Sequence, residues 1–267
     1  MSNRDGNRRV EGQRLVYYHQ AADKDFWESQ WKAYTTNAYY QPFQAGRLFT
    51  FDKIFKRHLP KQGRILEAGC GTAQFVVALR ANGYDCFGLD YAFGALQRAR
   101  KIVGALPLAC GDLTALGIAN DTFDAVISLG VVEHRREGPE PFLREMHRIL
   151  KANGMLLISV PYFNPLRQWR AGRGAYQDDV SGLDFYQYAF SRREFFHLLE
   201  EAGYEITTWY SYAHQNTLSQ ELHGLKRMPS IVRTMIMRLS KYLPYVSAHL
   251  GHMLMVVARK KSQPSSR

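Results

Sequence analysis

Short apolar runs alternate with amphipathic stretches from Arg64 to Val160, and this alternation limits the possible folds more than any other feature of the chain. The runs are Arg64 to Ala68, Cys86 to Asp90, Leu106 to Cys110, Phe123 to Leu129 and Met155 to Val160. The intervening stretches predict helices over Thr72 to Ala81, Phe93 to Val103 and Pro139 to Lys151. Strands that alternate with helices predict a parallel sheet with helices on both faces.

The sequence after this region adds one helix and two strands. Ser191 and Glu194 form a capping-box pattern that opens a helix, and Gly203 closes it. Glu205 to Tyr210 and Met253 to Arg259 are further strand candidates. The predicted fold class is α/β: a doubly wound, mostly parallel, seven-stranded Rossmann-like sheet with an aromatic N-terminal arm and a helical insertion between the last two strands.

The two ends of the chain differ from its centre. Residues 1 to about 20 are polar and rich in Arg, which favours a disordered or loosely attached segment. Aromatic residues crowd into the stretch from Tyr17 to Phe43, where Asp25 to Tyr34 is a helix candidate. We therefore predict an arm or lid at 1–45, followed by one domain at 46–267 with its insertion at about 213–252.

Composition excludes several classes of protein. The 267 residues are 46% hydrophobic, yet no apolar run approaches the ~18 residues of a membrane span. The N-terminus has no apolar signal region, and three cysteines are too few for a disulfide or zinc framework. We expect a cytoplasmic protein with no obligate protein partner.

Charge is placed unevenly along the chain. The formal net charge is +11, and no Asp or Glu follows Glu221. Such a field favours an anionic partner, which could be a membrane surface, a nucleic acid or a phosphorylated substrate, although a solvated basic tail explains it equally well.

The stretch ILEAGCGTAQF, residues 65–75, predicts a ligand site after the first strand. Gly69 and Gly71 permit a tight turn and a close approach of a ligand to the main chain. Glu67 would repel a pyrophosphate, and the third glycine of a dinucleotide fingerprint is missing. Since Asp90 and Asp112 end the next two strand units, we expect a cationic ligand rich in hydrogen-bond donors, such as S-adenosylmethionine.

Four motifs in order resemble the class I S-adenosylmethionine-dependent methyltransferases, particularly the branch of quinone-biosynthesis and related small-molecule enzymes. ILEAGCGTA resembles their first motif, and CFGLDYA resembles the second. GDLTALGIANDTFDAVISLGVVEH resembles the stretch through their third and fourth strands, and REMHRILKANGMLLISVP resembles the helix and fifth strand that follow. The resemblance covers roughly residues 64–161 and leaves both ends unexplained.

The resemblance implies S-adenosylmethionine as cofactor and a role for each matched position. The acid and glycines of the first motif would surround the methionine part, and Asp90 would accept the ribose hydroxyls with Tyr91 packed on adenine. Asp112 would accept the adenine amino group, Leu113 would offer its backbone N–H to the ring, and Gly130 would lie beside the reacting methyl. The implied cofactor residues are Glu67, Gly69, Cys70, Gly71, Asp90, Tyr91, Asp112, Leu113 and Gly130.

Two of these acids have purely structural alternatives. Asp90 is also a candidate helix N-cap, and Asp112 is also a candidate turn residue. Their combination with the glycine turn favours binding.

His134 is the candidate catalytic base. Methyl transfer from a sulfonium is an in-line displacement that alignment alone can accelerate, so a base is needed only when the acceptor is a hydroxyl. The alternative for His134 is a partly exposed loop histidine. Glu133 and His134 also resemble the Glu-His pair with which some quinone O-methyltransferases bind a divalent cation, but Gly130 replaces their third ligand. Two ligands are too few, so we predict no metal.

Substrate residues are expected after the fifth strand. Three arginines recur every three residues and could bind a phosphate or carboxylate, or belong to a solvated loop. Two tyrosines of FYQYAF could cover the pocket, although aromatic residues at this density also serve packing. The candidate substrate residues are Arg167, Arg170, Arg173, Tyr186 and Tyr188.

The insertion contains a predicted basic amphipathic helix at residues 230–243. Its apolar residues fall on one arc and its basic residues on the other. The helix either lies on an anionic membrane or covers the active site with its apolar face.

These features favour an enzyme that methylates a small molecule, anionic or lipid-linked, in the cytoplasm or peripherally at a membrane. An RNA methyltransferase is the alternative that the charge suggests, although no nucleic-acid-binding module or base-methylase tetrad is present. A non-enzymatic cofactor-binding protein is a third reading, and a nicotinamide enzyme fits worst.

Overall fold

The structure, a computed structural model, describes residues 7–32, 34, 36–221 and 249–261. Its strands are β1 (Asn7–Glu11), β2 (Arg14–His19), β3 (Arg64–Ala68), β4 (Asp85–Asp90), β5 (Leu108–Cys110), β6 (Phe123–Leu129), β7 (Leu150–Pro161), β8 (Asp184–Ala189), β9 (Tyr204–Tyr212) and β10 (Met253–Lys260). Its α-helices are α1 (Lys24–Lys32), α2 (Asn37–Gln44), α3 (Asp52–His58), α4 (Gln74–Ala81), α5 (Phe93–Val103), α6 (Glu140–Ile149), α7 (Pro165–Ala171), α8 (Arg192–Glu201) and α9 (His214–Glu221). Short 3₁₀ turns occupy Phe49–Phe51 and Val132–His134.

The central sheet has seven strands in the order β5-β4-β3-β6-β7-β10-β9. The strands from β5 to β7 are parallel, and β10 runs antiparallel to both of its neighbours. This sheet confirms the predicted doubly wound, mostly parallel α/β fold. The chain order reverses between β3 and β6, which is where open sheets of this kind bind ligands, beyond the carboxyl ends of the strands.

Neighbouring residues of the central strands pack on opposite faces of the sheet. Leu66 and Leu156 belong to the core cluster that α6 and α8 cover, whereas Ile65 and Leu157 belong to the cluster beneath α3, α4 and α5. All four side chains are at most 2% exposed. The strands are buried on both faces, so their sequences are continuous apolar runs.

A second sheet of three strands, β1-β2-β8, corrects the expectation of a disordered or loosely attached N-terminal segment for residues 7–19. Gly12, with φ of +58°, makes the tight turn between β1 and β2. Leu15 and Val16 of β2 are completely buried, and Leu15 pairs with Ala189 of β8. Because this pairing partner lies far along the chain, local composition gave no sign of it.

The insertion separates β9 from β10, which pair with each other antiparallel. Its described part includes α9, while the predicted amphipathic helix at 230–243 lies outside the described residues. None of the described helices is both long and apolar enough to cross a membrane. The division into an arm at 1–45 and a domain at 46–267 stays a prediction.

Candidate functional site

A cavity of about 860 Å³ lies at the carboxyl ends of β3, β4 and β6, where the strand order reverses. It is lined by every residue that the sequence predicted for the cofactor and by the candidate base. These residues are Glu67, Gly69, Cys70, Gly71, Asp90, Tyr91, Asp112, Leu113, Gly130 and His134. The predicted set therefore occupies one place in the molecule.

The turn after β3 requires its two glycines. Gly69 and Gly71 have φ of +83° and +52°, and a Cβ on Gly69 would lie 2.3 Å from a methyl of Val131. A Cβ on Gly71 would meet the ring of Trp31 at 2.9 Å. Side chains at either position would clash, so the turn presents bare main chain to the cavity.

Glu67 is buried at the floor of the cavity and is 3% exposed. Its Oε2 accepts a hydrogen bond of 3.1 Å from the backbone N–H of Val76, in the first turn of α4. Burial raises the pKa of Glu67 to about 8, although this hydrogen bond favours the ionised form. The carboxyl group therefore titrates close to neutral pH.

Asp90 connects the end of β4 to the glycine turn. Its Oδ2 accepts from the N–H of Gly71 at 2.7 Å, and its Oδ1 accepts from the N–H of Ala92 at 2.9 Å. Ala92, and not Asp90, is the N-cap of α5. Burial raises the pKa of Asp90 despite these two bonds. Each carboxylate oxygen retains lone pairs that could accept ligand hydroxyls.

Asp112 makes the turn that the structural alternative predicted and also lines the cavity. Its Oδ1 accepts from the N–H and the hydroxyl of Thr114, at 2.7 and 2.8 Å. Both bonds use the same oxygen, so the second oxygen can accept from a ligand.

Helix α1 covers the cavity from the N-terminal side. Trp27 and Trp31 stack on each other with ring centroids 5.5 Å apart, and both line the cavity. Glu28 accepts from the N–H of Gly94 at 2.6 Å and pairs with Arg98 at 3.2 Å, which fastens α1 to α5. The aromatic pattern predicted this helix, whereas nothing in the sequence indicated Glu28.

His134 lies in the 3₁₀ turn after β6. Its Nδ1 is 2.9 Å from the carbonyl oxygen of Tyr186, which can only accept, so Nδ1 carries the proton. Burial lowers the pKa of His134 to about 4, and the imidazole is neutral at pH 7. Nε2 is then left as a proton acceptor, and the ring of Trp27 packs edge-on at 5.0 Å.

The three arginines predicted to bind substrate do not line this cavity. Arg167 is completely buried, and its guanidinium pairs with Glu221 at 3.1 Å. Arg170 pairs with the same carboxylate, and Arg173 stacks over the ring of Trp169. The prediction for Arg167 is wrong, because its spacing along the chain does not reveal the buried acid that it neutralises.

The two tyrosines of the substrate prediction have different surroundings. Tyr186 does not line the cavity, but it packs against the ring of His134, which does, and against the ring of Phe26. Tyr188 is buried, donates to the carbonyl of Arg136 and lies outside the cavity lining. The sequence reasoning missed Arg135 and Arg136, which line the cavity and pair with Glu137 and Glu11. Their position directly after His134 was the signal that could have identified them.

The residues present fit S-adenosylmethionine. A Cβ would fill the main-chain cradle at Gly69 or Gly71, and Asp90 and Asp112 offer acceptors on neighbouring strands. Among the described residues, no group of three or more His, Cys, Asp or Glu is arranged to hold a metal ion.

Residues 66–158 match the family described as Methyltransferase domain. The demethylmenaquinone methyltransferase of Renibacterium salmoninarum is 33% identical over 108 residues, which cover 39% of this chain and 45% of the relative. The malonyl-[acyl-carrier protein] O-methyltransferase of Erwinia pyrifoliae is 38% identical over 96 residues, which cover 36% of each chain. The chain spans about half the length of the curated relatives it matches.

A solved structure extends the likeness in fold. The 1,6-didemethyltoxoflavin-N1-methyltransferase of Burkholderia thailandensis, with bound 1,6-didemethyltoxoflavin and S-adenosylhomocysteine, superposes with a TM-score of 0.55. It is 15% identical, and the match covers 96% of this chain and 100% of the other. At this identity the likeness concerns the fold alone.

All the residues predicted for the cofactor lie within 66–158, the stretch that matches the Methyltransferase domain.

Proposed function

We propose that this protein transfers the methyl group of S-adenosylmethionine to a small-molecule acceptor. The observation that carries the proposal is the convergence of the predicted cofactor residues on one cavity that continues past Gly130 and His134. In this proposal, Asp90 and Asp112 bind the nucleoside and the glycine turn receives the methionine part.

The remainder of the cavity favours an acceptor with an apolar body. Beyond the cofactor residues its lining is mainly aromatic and aliphatic, and includes Trp27, Phe51, Phe75, Leu129, Val131, Phe142, Phe185, Tyr212 and Met253. Arg135 and Arg136 are the cations of the lining, and each already has a carboxylate partner. An apolar ring or lipid-linked molecule suits this surface better than a highly charged one.

The cofactor, when bound, supplies an electrophilic methyl group and a sulfur leaving group. The role of the protein is to align the acceptor with that methyl and to exclude water. Trp27 and Trp31 of α1 line the cavity and exclude water from it. For a hydroxyl acceptor, the unprotonated Nε2 of His134 receives the proton, since Nδ1 is held by the Tyr186 carbonyl.

The test compares Asp90→Asn with Asp85→Asn, a matched change at the exposed opposite end of β4. Loss of the charged acceptor should weaken S-adenosylmethionine binding in calorimetry by about tenfold to a hundredfold. The control should bind as wild type does. Equal affinity of both variants would remove Asp90 from the site.

The acceptor is sought by incubating cell extract with the protein and methyl-labelled cofactor, then separating lipid, polar and RNA pools. We expect label in the lipid or polar pool, and label in RNA alone would favour the RNA alternative.

Peripheral membrane contact through residues 230–243 is part of the same proposal. Its test is co-sedimentation of the protein with phosphatidylglycerol vesicles, and absence of the protein from the vesicle pellet would contradict it.

A further inference from the structure

Glu133 is a buried carboxyl group without an assigned role. It lies in the 3₁₀ turn that follows β6 and is 1% exposed. Its Oε2 is buried and has no hydrogen-bond partner in the described part of the chain. A buried carboxylate oxygen without a hydrogen-bond partner is costly to keep ionised, so this oxygen requires an explanation.

Glu133 lies close to Gly130, the residue predicted to lie beside the reacting methyl. Gly130 adopts φ of +69°, and its N–H donates to the Ser159 carbonyl at 3.0 Å. A Cβ on Gly130 would lie 3.4 Å from Oε1 of Glu133. Glu133 itself is not among the residues that line the cavity, so its carboxyl group adjoins the lining through Gly130.

No permanent cation neutralises this carboxyl group in the described part of the chain. Its one ion-pair neighbour is Nε2 of His134 at 3.9 Å, and that imidazole is neutral at pH 7. The other titratable groups that face it are the hydroxyls of Tyr186 on β8 and Tyr212 on β9, which are also neutral. Burial raises the pKa of Glu133 to about 8, although backbone hydrogen bonds from Val131 and from Glu133 itself favour the ionised form, so the group is mainly a neutral acid at pH 7.

S-adenosylmethionine and its product differ by one charge at this position. The sulfonium of the cofactor is positive, the thioether of S-adenosylhomocysteine is neutral, and both carry the same ammonium and carboxylate. Near the sulfur, the positive sulfonium of S-adenosylmethionine favours the ionised form of a buried carboxyl group, and the neutral thioether of S-adenosylhomocysteine does not.

We propose that Glu133 distinguishes the cationic cofactor from its neutral product, ionising when S-adenosylmethionine binds beside Gly130 and recovering a proton after methyl transfer. This inference rests on the proposed function. In the transfer, the acceptor oxygen forms the new C–O bond and the sulfur keeps the electron pair of the broken C–S bond. The proton of the acceptor hydroxyl passes through Nε2 of His134 to the Glu133 carboxylate, so charge is balanced before and after the step. The product complex then contains a neutral acid and a neutral thioether.

The test is isothermal titration of both ligands into the full-length protein in phosphate and in Tris buffer, which differ in ionisation enthalpy. Wild type should release more protons on binding S-adenosylmethionine than on binding S-adenosylhomocysteine. Its affinity for S-adenosylmethionine relative to S-adenosylhomocysteine should rise with pH from about 6 to 8, because binding releases the Glu133 proton.

Glu133→Gln keeps the shape of the side chain and removes its charge. It should abolish the difference in proton release and weaken S-adenosylmethionine about tenfold, while S-adenosylhomocysteine changes less than about twofold. Glu67→Gln serves as a comparison, because both ligands present the same ammonium near it and both should weaken alike. Glu194→Gln controls for loss of a half-buried carboxyl group outside the cavity, whose Oε2 is buried without a hydrogen-bond partner and whose Oε1 pairs with Arg14.

The outcomes separate the two proposals. Equal proton release for both ligands in wild type, or an equal effect of Glu133→Gln on both, would overturn the role of Glu133 and leave the proposed function standing. Failure of wild type to bind either ligand would overturn the proposed function itself. Circular dichroism of each variant shows whether a lost response reflects a lost fold.

Discussion

At the residue scale, three buried titratable groups lie in or next to the cavity: Glu67 and His134 line it, and Glu133 adjoins Gly130 of the lining. Burial raises the pKa of Glu67 and of Glu133 to about 8 and lowers the pKa of His134 to about 4. Near neutral pH, all three are mainly uncharged in the protein without ligand. The carboxyl groups can therefore ionise when the cationic cofactor binds. Before binding they are protonated, which avoids the free-energy cost of buried negative charges without a cation.

These shifts predict a stability maximum on the acid side of neutrality. The two glutamates bind more protons in the folded than in the unfolded state from about pH 4.5 to pH 8, so the free energy of unfolding falls as pH rises through that range. The unfolded state binds the His134 proton first, so the contribution of His134 to stability falls as pH drops from about 6.5 to 4. The two glutamates outweigh this contribution down to about pH 4.5, and His134 determines the slope below that pH.

Urea denaturation at a series of pH values, without ligand, checks this prediction. Glu67→Gln and Glu133→Gln should each raise the free energy of unfolding at pH 8 by about 1 kcal/mol or more relative to pH 5. His134→Asn should flatten the acid limb, and the exposed Glu205→Gln should leave the profile unchanged. Parallel profiles for wild type and both cavity glutamate variants would contradict the predicted titration.

At the scale of elements, α1 is a part of the cavity wall that is held by few buried contacts. None of its described residues is buried, and its contacts with α5 run mainly through Glu28. Tyr91 adds one hydrogen bond of 3.3 Å to the carbonyl of Ala22. Elements held by few buried contacts open at low free-energy cost, so α1 is the expected route for ligand exchange.

Glu28→Gln should speed the dissociation of S-adenosylhomocysteine. The Glu28–Arg98 pair is partly exposed, so its loss should cost less than about 1 kcal/mol and raise the dissociation rate up to about fivefold. Stopped-flow fluorescence from Trp27 and Trp31 can follow the release. Asp52→Asn breaks a comparable exposed pair on α3 and should leave the rate unchanged, and equal rates in both variants would show that Glu28 does not hold α1 closed.

The central strands, which are buried on both faces, could be predicted from the sequence. The strands of the second sheet could not, because they depend on pairing with residues far along the chain. β3 and β6 begin and end where their apolar runs do, and Ser191 accepts from the N–H of Glu194 as the capping pattern predicted. β1 and β8 are only partly buried and owe their existence to pairing with β2, so their sequences carry no strong period.

The residues of the candidate site also fall into a group that the sequence located and a group that it did not. The cofactor residues stand at fixed distances from strand ends, so motif spacing located them on the cavity. Glu28 and Glu133 lie against neighbours that the sequence pattern does not reveal, and Arg167 points into a buried network, so spacing alone assigned them no role or the wrong one.

At the scale of the whole molecule, one buried carboxylate joins the second sheet to the main domain. Glu221 of α9 pairs with Arg8 of β1 at 2.7 Å and with Arg167 of α7 at 3.1 Å, and Tyr176 donates to it at 2.6 Å. Burial alone would raise the pKa of Glu221, but Tyr176 and the guanidiniums hold it below its usual value. The hairpin that contributes Arg8 also pairs with β8, which contributes Phe185 to the cavity.

Glu221→Gln should therefore destabilise the whole molecule and not only one helix. It leaves the completely buried guanidinium of Arg167 without its anion, which typically costs about 3 to 5 kcal/mol because the remaining charge stays desolvated. Because β1, α7 and α9 meet at this carboxylate, thermal unfolding should remain a single transition that moves to lower temperature. The exposed Glu201→Gln on α8 is the control and should change stability by less than about 0.5 kcal/mol. If both variants unfold at the wild-type temperature, the network does not join the two sheets. If Glu221→Gln gives two separate transitions, the second sheet is an independent unit that packs on the domain without sharing its stability.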